Sequence, residues 1–258
     1  MFEAVYMAAT GLTNQQRRLD VIGDNISNTN TIGFKASRLD FQDALYTAGI
    51  APGPEYTPSG NLQKGHGVAT ASITNELTLG ALLTTGNTLD FALEGDAFFQ
   101  VIDPYGNLLY TKAGNFYAVN GETGLALVNS EGYYVQDSEG ENIVFPEGTT
   151  DIGVSPEGII SFKTGEDSLG TTRFGLYKFP NKTGLVKVGG SNYTETVASG
   201  RAEQATDFSV NQCMLESSNV DMATEMTRLI RTQRAFSLAA RALTTADDME
   251  GIANRMRG

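Results

Sequence analysis

Few residues in this 258-residue chain have the chemistry of a reactive centre, and their spacing does not assemble one. His66 is the one histidine and sits between Gly65 and Gly67. A catalytic triad or a metal centre needs further bases or ligands beside it, and the sequence places none there. Cys213 is the one cysteine, which excludes an internal disulfide and a multi-cysteine zinc site. It reads as a small packed residue rather than a nucleophile. Glu94 and Asp96 have the side chains of a glycosidase acid/base pair, but they lie in a stretch that reads as a turn before Phe98-Phe99. Asp137-Ser138-Glu139-Gly140-Glu141 alternates acids without the longer calcium-loop pattern, which fits a solvated hairpin turn. No Gly-rich loop ending in Lys-Ser/Thr is present. The expectation is therefore no catalytic residue, no metal site and no cofactor.

Composition narrows the classes further. The net charge of −12 argues against a nucleic-acid partner, which needs clustered Lys and Arg. Hydrophobic residues at 40% and charged residues at 19% fit a folded chain. No apolar run is long enough for membrane insertion. Met1-Phe2-Glu3-Ala4-Val5-Tyr6 lacks a basic stretch followed by an apolar one, so no cleaved signal peptide is expected. The charge is also uneven. Residues 1–35 and 212–258 each sum to zero, so residues 36–211, with 21 acids and nine bases, carry the whole excess.

The elements follow the same division. Phe2, Val5, Ala9, Leu12, Leu19 and Ile26 recur at helical steps, with Gln16 and Gly23 in the gaps. This predicts a helix over 2–26. Met222, Met226, Leu229, Gln233, Phe236, Ala240 and Leu243, continued by Ala246, Met249, Ile252 and Met256, predict a second helix over 219–256. Ser217-Ser218-Asn219 offer its N-cap, and Asp221 and Glu225 fall in its early turns. So long a helix needs partner helices, and the first is at hand in the same chain. Between them, short apolar runs bounded by turn residues (89–93, 98–102, 108–111, 115–119, 132–135, 158–162 and 174–179) read as antiparallel strands. The fold class is α+β, mainly β with terminal helices. The two ends form a helical or coiled-coil domain into which an antiparallel β domain is inserted. The expected divisions are 1–40 for the first helix and its turn, 41–85 for an extended connector rich in Pro and Gly, 86–211 for the β domain and 212–258 for the second helix.

Three motifs then carry a resemblance. Asn25-Ile26-Ser27-Asn28-Thr29-Asn30-Thr31-Ile32-Gly33-Phe34-Lys35 resembles the N-terminal motif of the flagellar rod and hook axial proteins, with Ser27 where alanine is usual. Leu89–Val101 followed by Tyr110–Phe116 is similar to that family's entry into its β domain, with Ala97 where glycine is usual. Leu215–Asp221, Gln233–Phe236 and Thr245–Asp247 resemble its C-terminal helix, and Cys213 falls near a position that is often glycine. Together they span nearly the whole chain. Within the family, 58–68 and 192–196 look most like the distal rod branch; a proximal rod protein or a hook-like axial protein is the alternative. The resemblance implies a structural subunit of a helical homopolymer that transmits torque. It implies proximal rod, hook or hook-adaptor neighbours and a surrounding bushing ring. It also implies export through the flagellar type III apparatus to the basal body in the cell envelope.

On this reading the apolar positions at both ends pack between subunits: Phe2, Val5, Leu12, Leu19 and Ile26 from the first helix, and Met222, Met226, Leu229, Gln233, Phe236, Leu243, Met249, Ile252 and Met256 from the second. Asn25, Asn28 and Gly33 shape the turn that ends the first helix, and the turn presents Phe34 to a neighbour. The neutral ends can pack closely around an axis while the acidic middle lies further out. Outside the family, a β-domain surface-binding module or a cell-wall hydrolase using Glu94 and Asp96 are the competing readings.

Overall fold

The computed structural model describes residues 2–48, 63–121, 124–164 and 168–257. The chain divides into two compact units. One comprises 1–27, 37–74 and 221–258, and the other 28–36 and 75–220.

In the first unit, α1 (Phe2–Ser27) packs along α2 (Met222–Arg257). On α1, Val5, Ala8, Leu12, Gln15, Leu19, Ile22 and Ile26 are half-buried or buried, a rhythm of three and four. On α2 the matching set is Glu225, Leu229, Thr232, Phe236, Ala239, Leu243 and Ala246. That alternation is the heptad rhythm of paired helices. Ala9, expected in the stripe of α1, is exposed, and Gln15 and Ile22 fill the gaps at Gln16 and Gly23. Two polar members of the seam have local partners, although Gln15 Oε1 and Glu225 Oε2 are buried without one among the described residues. The Thr232 hydroxyl donates to the Arg228 carbonyl at 2.8 Å, and Glu225 pairs with Arg228 one turn on.

The helix pair is braced by strands. Ser37–Asp43 pairs with Val68–Asn75, and Tyr46–Ala48 runs antiparallel to Gln63–Gly65. Asn14 fixes α1 to this layer: its Nδ2 donates to the Val68 carbonyl at 2.5 Å and its Oδ1 accepts the Thr70 hydroxyl at 2.8 Å. At the end of α1, the Asn25 carboxamide pairs with the backbone of Ser37 as a second strand would, giving 2.9 Å to its carbonyl and receiving 2.8 Å from its amide.

The second unit is the β unit. Its main sheet runs in the order Val144–Phe145, Gly124–Val128, Tyr134–Val135, Phe98–Ile102, Leu108–Thr111, Asn192–Thr194, Val186–Gly189. Thr149–Val154, Ile159–Thr164 and Ser168–Arg173 form a three-stranded antiparallel sheet. Successive side chains of Phe98–Ile102 point to opposite faces, yet both faces are buried. Phe99 stacks edge-on with Phe116 and Phe174 at 5.2 and 5.3 Å between ring centroids. Phe98 does the same with Phe179 and Tyr193 at 5.8 Å each. Two aromatic cores thus sandwich one strand, which explains its unbroken apolar run.

The division differs from the sequence expectation at two places. Residues 28–36 pack within the β unit rather than with the helices. The stretch 41–85 is more than a connector, since it supplies strands at 46–48, 63–65, 68–75 and 82–84. Its Pro52, Pro54 and Pro58 lie outside the described residues.

Candidate functional site

The three sequence motifs, separated by up to 180 residues, meet at one node inside the β unit. Gly33, in the left-handed region at φ +66°, donates its amide to the Glu216 carbonyl at 2.8 Å. A Cβ at Gly33 would fall 2.6 Å from the backbone nitrogen of Ala113, so only glycine lets the first motif lie against the second. Next to it, Lys35 forms an ion pair with Glu216 of the third motif. Both residues are 1% exposed. Lys35 Nζ also donates to the Thr78 carbonyl at 2.6 Å, and Glu216 Oε1 also accepts the Gly80 amide at 2.7 Å. Two buried charges are tolerable here because they meet each other and are hydrogen-bonded around the pair.

The node holds more charge than that pair. Lys112, in the second motif, is buried with its Nζ on the Gly95 carbonyl at 2.7 Å and over the Phe98 ring. Burial pulls its pKa down to about 8; Glu216 opposes this and the like charge of Lys35 adds to it. Burial and the Glu216 carboxylate hold the Tyr193 phenol well above its ordinary value. Lys187 closes the top, donating to the Lys35 carbonyl at 2.6 Å with its ammonium 4.1 Å from the centre of the Phe34 ring. Lys35, Lys112, Lys187 and Glu216 Oε1 are each held by a hydrogen bond, while Glu216 Oε2 and the Tyr193 hydroxyl are buried without a hydrogen-bond partner among the described residues; the node has the character of a structural clasp.

The turn residues are therefore committed within the chain. Phe34, expected to face a neighbouring subunit, is 7% exposed and packs with Ala36 and Val220 beneath Lys187. That corrects the expectation: a large ring beside a glycine turn is used to seal the node. Asn25 and Gly33 are buried, and Asn28 accepts the Thr31 hydroxyl and amide, each at 3.1 Å. The N-cap of α2 is Asp221, whose carboxylate accepts the amides of Ala223 and Thr224 at 3.3 Å. Its pKa is lowered, first by the Thr224 hydroxyl. Asn219, a cap candidate in the sequence, bonds instead to Ala36 and Glu76.

The acids weighed for chemistry are engaged in other contacts, although Glu94 and Asp96 line one cleft. Glu94 accepts the Asn211 carboxamide at 2.7 Å, while Asp96 pairs with Lys182. The Asp137 carboxylate accepts the Glu139 and Glu141 amides at 2.8 and 3.0 Å, closing a hairpin turn. His66 is exposed between two strands. Cys213 stands between strands Phe208–Gln212 and Met214–Glu216 at φ +59°, a backbone position that suits glycine.

The terminal helices show a different property. Of the expected packing positions, Val5, Leu12, Leu19, Ile26, Leu229, Phe236 and Leu243 are half-buried within the unit. Met222, Met226, Met249, Ile252 and Met256 are exposed, as are Ile230 and Leu238, and so is Gln233. The Phe2 side chain lies outside the described residues. The single stripe read from the sequence is thus two faces, one closed between α1 and α2 and one open. Among the described residues, no helix is long and apolar enough to cross a membrane.

Paired end helices with an open apolar face, an inserted β unit and an internal clasp are the features of a subunit that assembles with others. The family described as "Flagella basal body rod protein" matches residues 5–35. "Flagellar hook protein FlgE/F/G D1 domain" matches 92–162, and "Flagellar basal body rod FlgEFG protein C-terminal" matches 211–256. The chain is 36% identical to the flagellar basal-body rod protein FlgG of Borreliella burgdorferi, covering 100% of this chain and 99% of that one. It is 35% identical to the FlgG of Bacillus subtilis over 96% and 97%, and 32% identical to the FlgF of Mesorhizobium japonicum over 93% and 91%. The chain belongs to the flagellar basal-body rod protein family; it is a structural protein and not an enzyme.

Proposed function

We propose that this chain builds the distal part of the flagellar rod, polymerising with copies of itself into a helical tube that carries torque to the hook. The observation that carries this reading is the open face of α2. Met222, Met226 and Ile230 follow one another at four-residue steps and are exposed while the opposite face is closed on α1; further along, past the last seam position Ala246, Met249, Ile252 and Met256 are exposed at steps of three and four. The helix has 36 residues and so runs roughly 54 Å, long enough to contact several neighbours. Exposed apolar side chains repeated over such a length mark an association surface. The neutral charge of both ends lets identical copies pack around an axis, with the acidic β unit turned outward.

Proximal rod proteins below, hook or hook-adaptor proteins above and a bushing ring around the tube are the neighbours this position requires. Type III export without signal cleavage is the matching route. The distal assignment is supported by full-length likeness to relatives named FlgG and by the resemblance at 58–68 and 192–196. Deleting the gene in the source bacterium and imaging basal bodies tests it. Basal bodies that stop short of the hook, restored by the native gene, are expected. A deletion strain with complete hook–basal bodies would overturn it.

A further inference from the structure

The chain passes between its two units at 27/28, 36/37, 74/75 and 220/221. Within the β unit, three segments carry those passages: 28–36, the stretch from 75, and the stretch up to 220. Two side chains of the third bond to both of the others, Glu216 through Lys35 and Gly80 and Asn219 directly to Ala36 and Glu76. Asn219 Oδ1 accepts the Ala36 amide at 2.8 Å. Asn219 Nδ2 donates to the Glu76 carbonyl at 2.7 Å and the Thr78 hydroxyl at 3.0 Å. The segments are also bonded directly, Glu76 amide to Ala36 carbonyl at 2.8 Å and Asn219 amide to Phe34 carbonyl at 3.4 Å.

We infer that Asn219 is a positioning residue that locks these three segments in one register, so that the legs bearing α1 and α2 leave the β unit at fixed spacing even when the helices are unpaired. The carboxamide suits this because one planar group has an acceptor end and a donor end. Here the acceptor serves 28–36 and the donor serves 75–80. Asp221 caps α2, which leaves Asn219 for this task. A helix pair with an open apolar face opens locally at low cost before its neighbours arrive. A clasp made wholly inside the β unit survives that opening and returns the helices to the same register. The inference concerns the isolated chain and does not rest on the rod reading.

Hydrogen exchange with mass spectrometry on the dilute full-length chain tests it, using Asn219→Ala and Asn219→Asp. In the native chain, amides of 33–36 and 76–80 stay protected under conditions where those of α1 and α2 exchange. The alanine variant accelerates both segments about tenfold, as the loss of their shared hydrogen bonds requires, and leaves Phe98–Ile102 unchanged. The aspartate variant keeps the acceptor and loses the donor, so 33–36 stays protected while 76–80 does not. A change below twofold in both segments of the alanine variant would overturn the inference. So would equal acceleration of Phe98–Ile102, because that marks general destabilisation, or an aspartate variant that behaves like alanine at 33–36.

Discussion

Lys35→Met and Glu216→Gln remove the two halves of the buried pair, and the structure assigns them unequal costs. Removing one partner of a buried, hydrogen-bonded pair costs about 3–5 kcal/mol, because the other charge stays behind without compensation. After Lys35→Met, the Glu216 carboxylate keeps the Gly80 amide and the field of Lys112, which puts the cost near the lower end, about 3 kcal/mol. After Glu216→Gln, the ammonium groups of Lys35 and Lys112 lose their shared carboxylate, and Asp96 is committed to Lys182. The cost then lies near the upper end, about 5 kcal/mol. The double variant removes both charges and keeps an acceptor for Gly80, so it recovers at least about 2 kcal/mol relative to the sum of the singles. Urea unfolding at pH 7 followed by tyrosine fluorescence reads this, since the chain has no tryptophan and Tyr110, Tyr177 and Tyr193 report on the β unit. Single costs below about 1 kcal/mol, or additivity within about 0.5 kcal/mol, would refute the reasoning.

Other outcomes follow from the same geometry. Cys213→Gly relieves a left-handed non-glycine residue and stabilises the chain by about 1 kcal/mol, read as a higher urea midpoint; a lower midpoint would contradict the strain argument. Lys112 has a folded pKa of about 8, below its unfolded value, so the unfolded chain holds the extra proton between pH 8 and 10. Stability from this group therefore rises with pH across that window, by at most about 1.4 kcal/mol per unit. Above pH 10 the raised phenols of Tyr110 and Tyr193 reverse the trend, because in the unfolded chain they ionise there while the fold holds them protonated, and the loss continues until they ionise in the folded chain as well. Lys112→Met should lack the rise between pH 8 and 10, and identical slopes for the two proteins would be the contrary result. Met226→Gln with Ile230→Gln changes exposed positions only. It should leave monomer stability within about 0.5 kcal/mol while abolishing tube formation in sedimentation; normal pelleting would remove these residues from the association surface.

Much of the fold was legible because it rests on period. The three-four rhythm of Val5, Leu12, Leu19 and Ile26 and the dense runs at 98–102 and 108–111 are local signals, and the corresponding helix and strands form where they point. What periodicity could not separate was the two faces of α2. Met222 and Met226 precede Leu229 and Phe236 at steps of three and four, yet the first pair is exposed and the second half-buried. The seam runs instead through Glu225 and Thr232, polar residues that no apolar count selects. The clasp was illegible for another reason. Phe34, Lys35, Glu216 and Asn219 have partners far along the chain that no local pattern names; cap chemistry supplied the nearer explanation for Asn219, and a neighbouring subunit for Phe34. The convergence of motifs was the available signal, because motifs that share no local element yet recur together mark a tertiary contact.

On the proposed function, the open face of the terminal helices joins copies of this chain into a tube. Helical reconstruction by electron microscopy of tubes grown from the purified protein tests it most directly. Met226, Ile230, Met249 and Ile252 are expected to be buried between subunits, with the helices near the axis and the acidic β unit outside. Tubes in which those side chains face solvent and the β unit makes the contacts around the axis would contradict it.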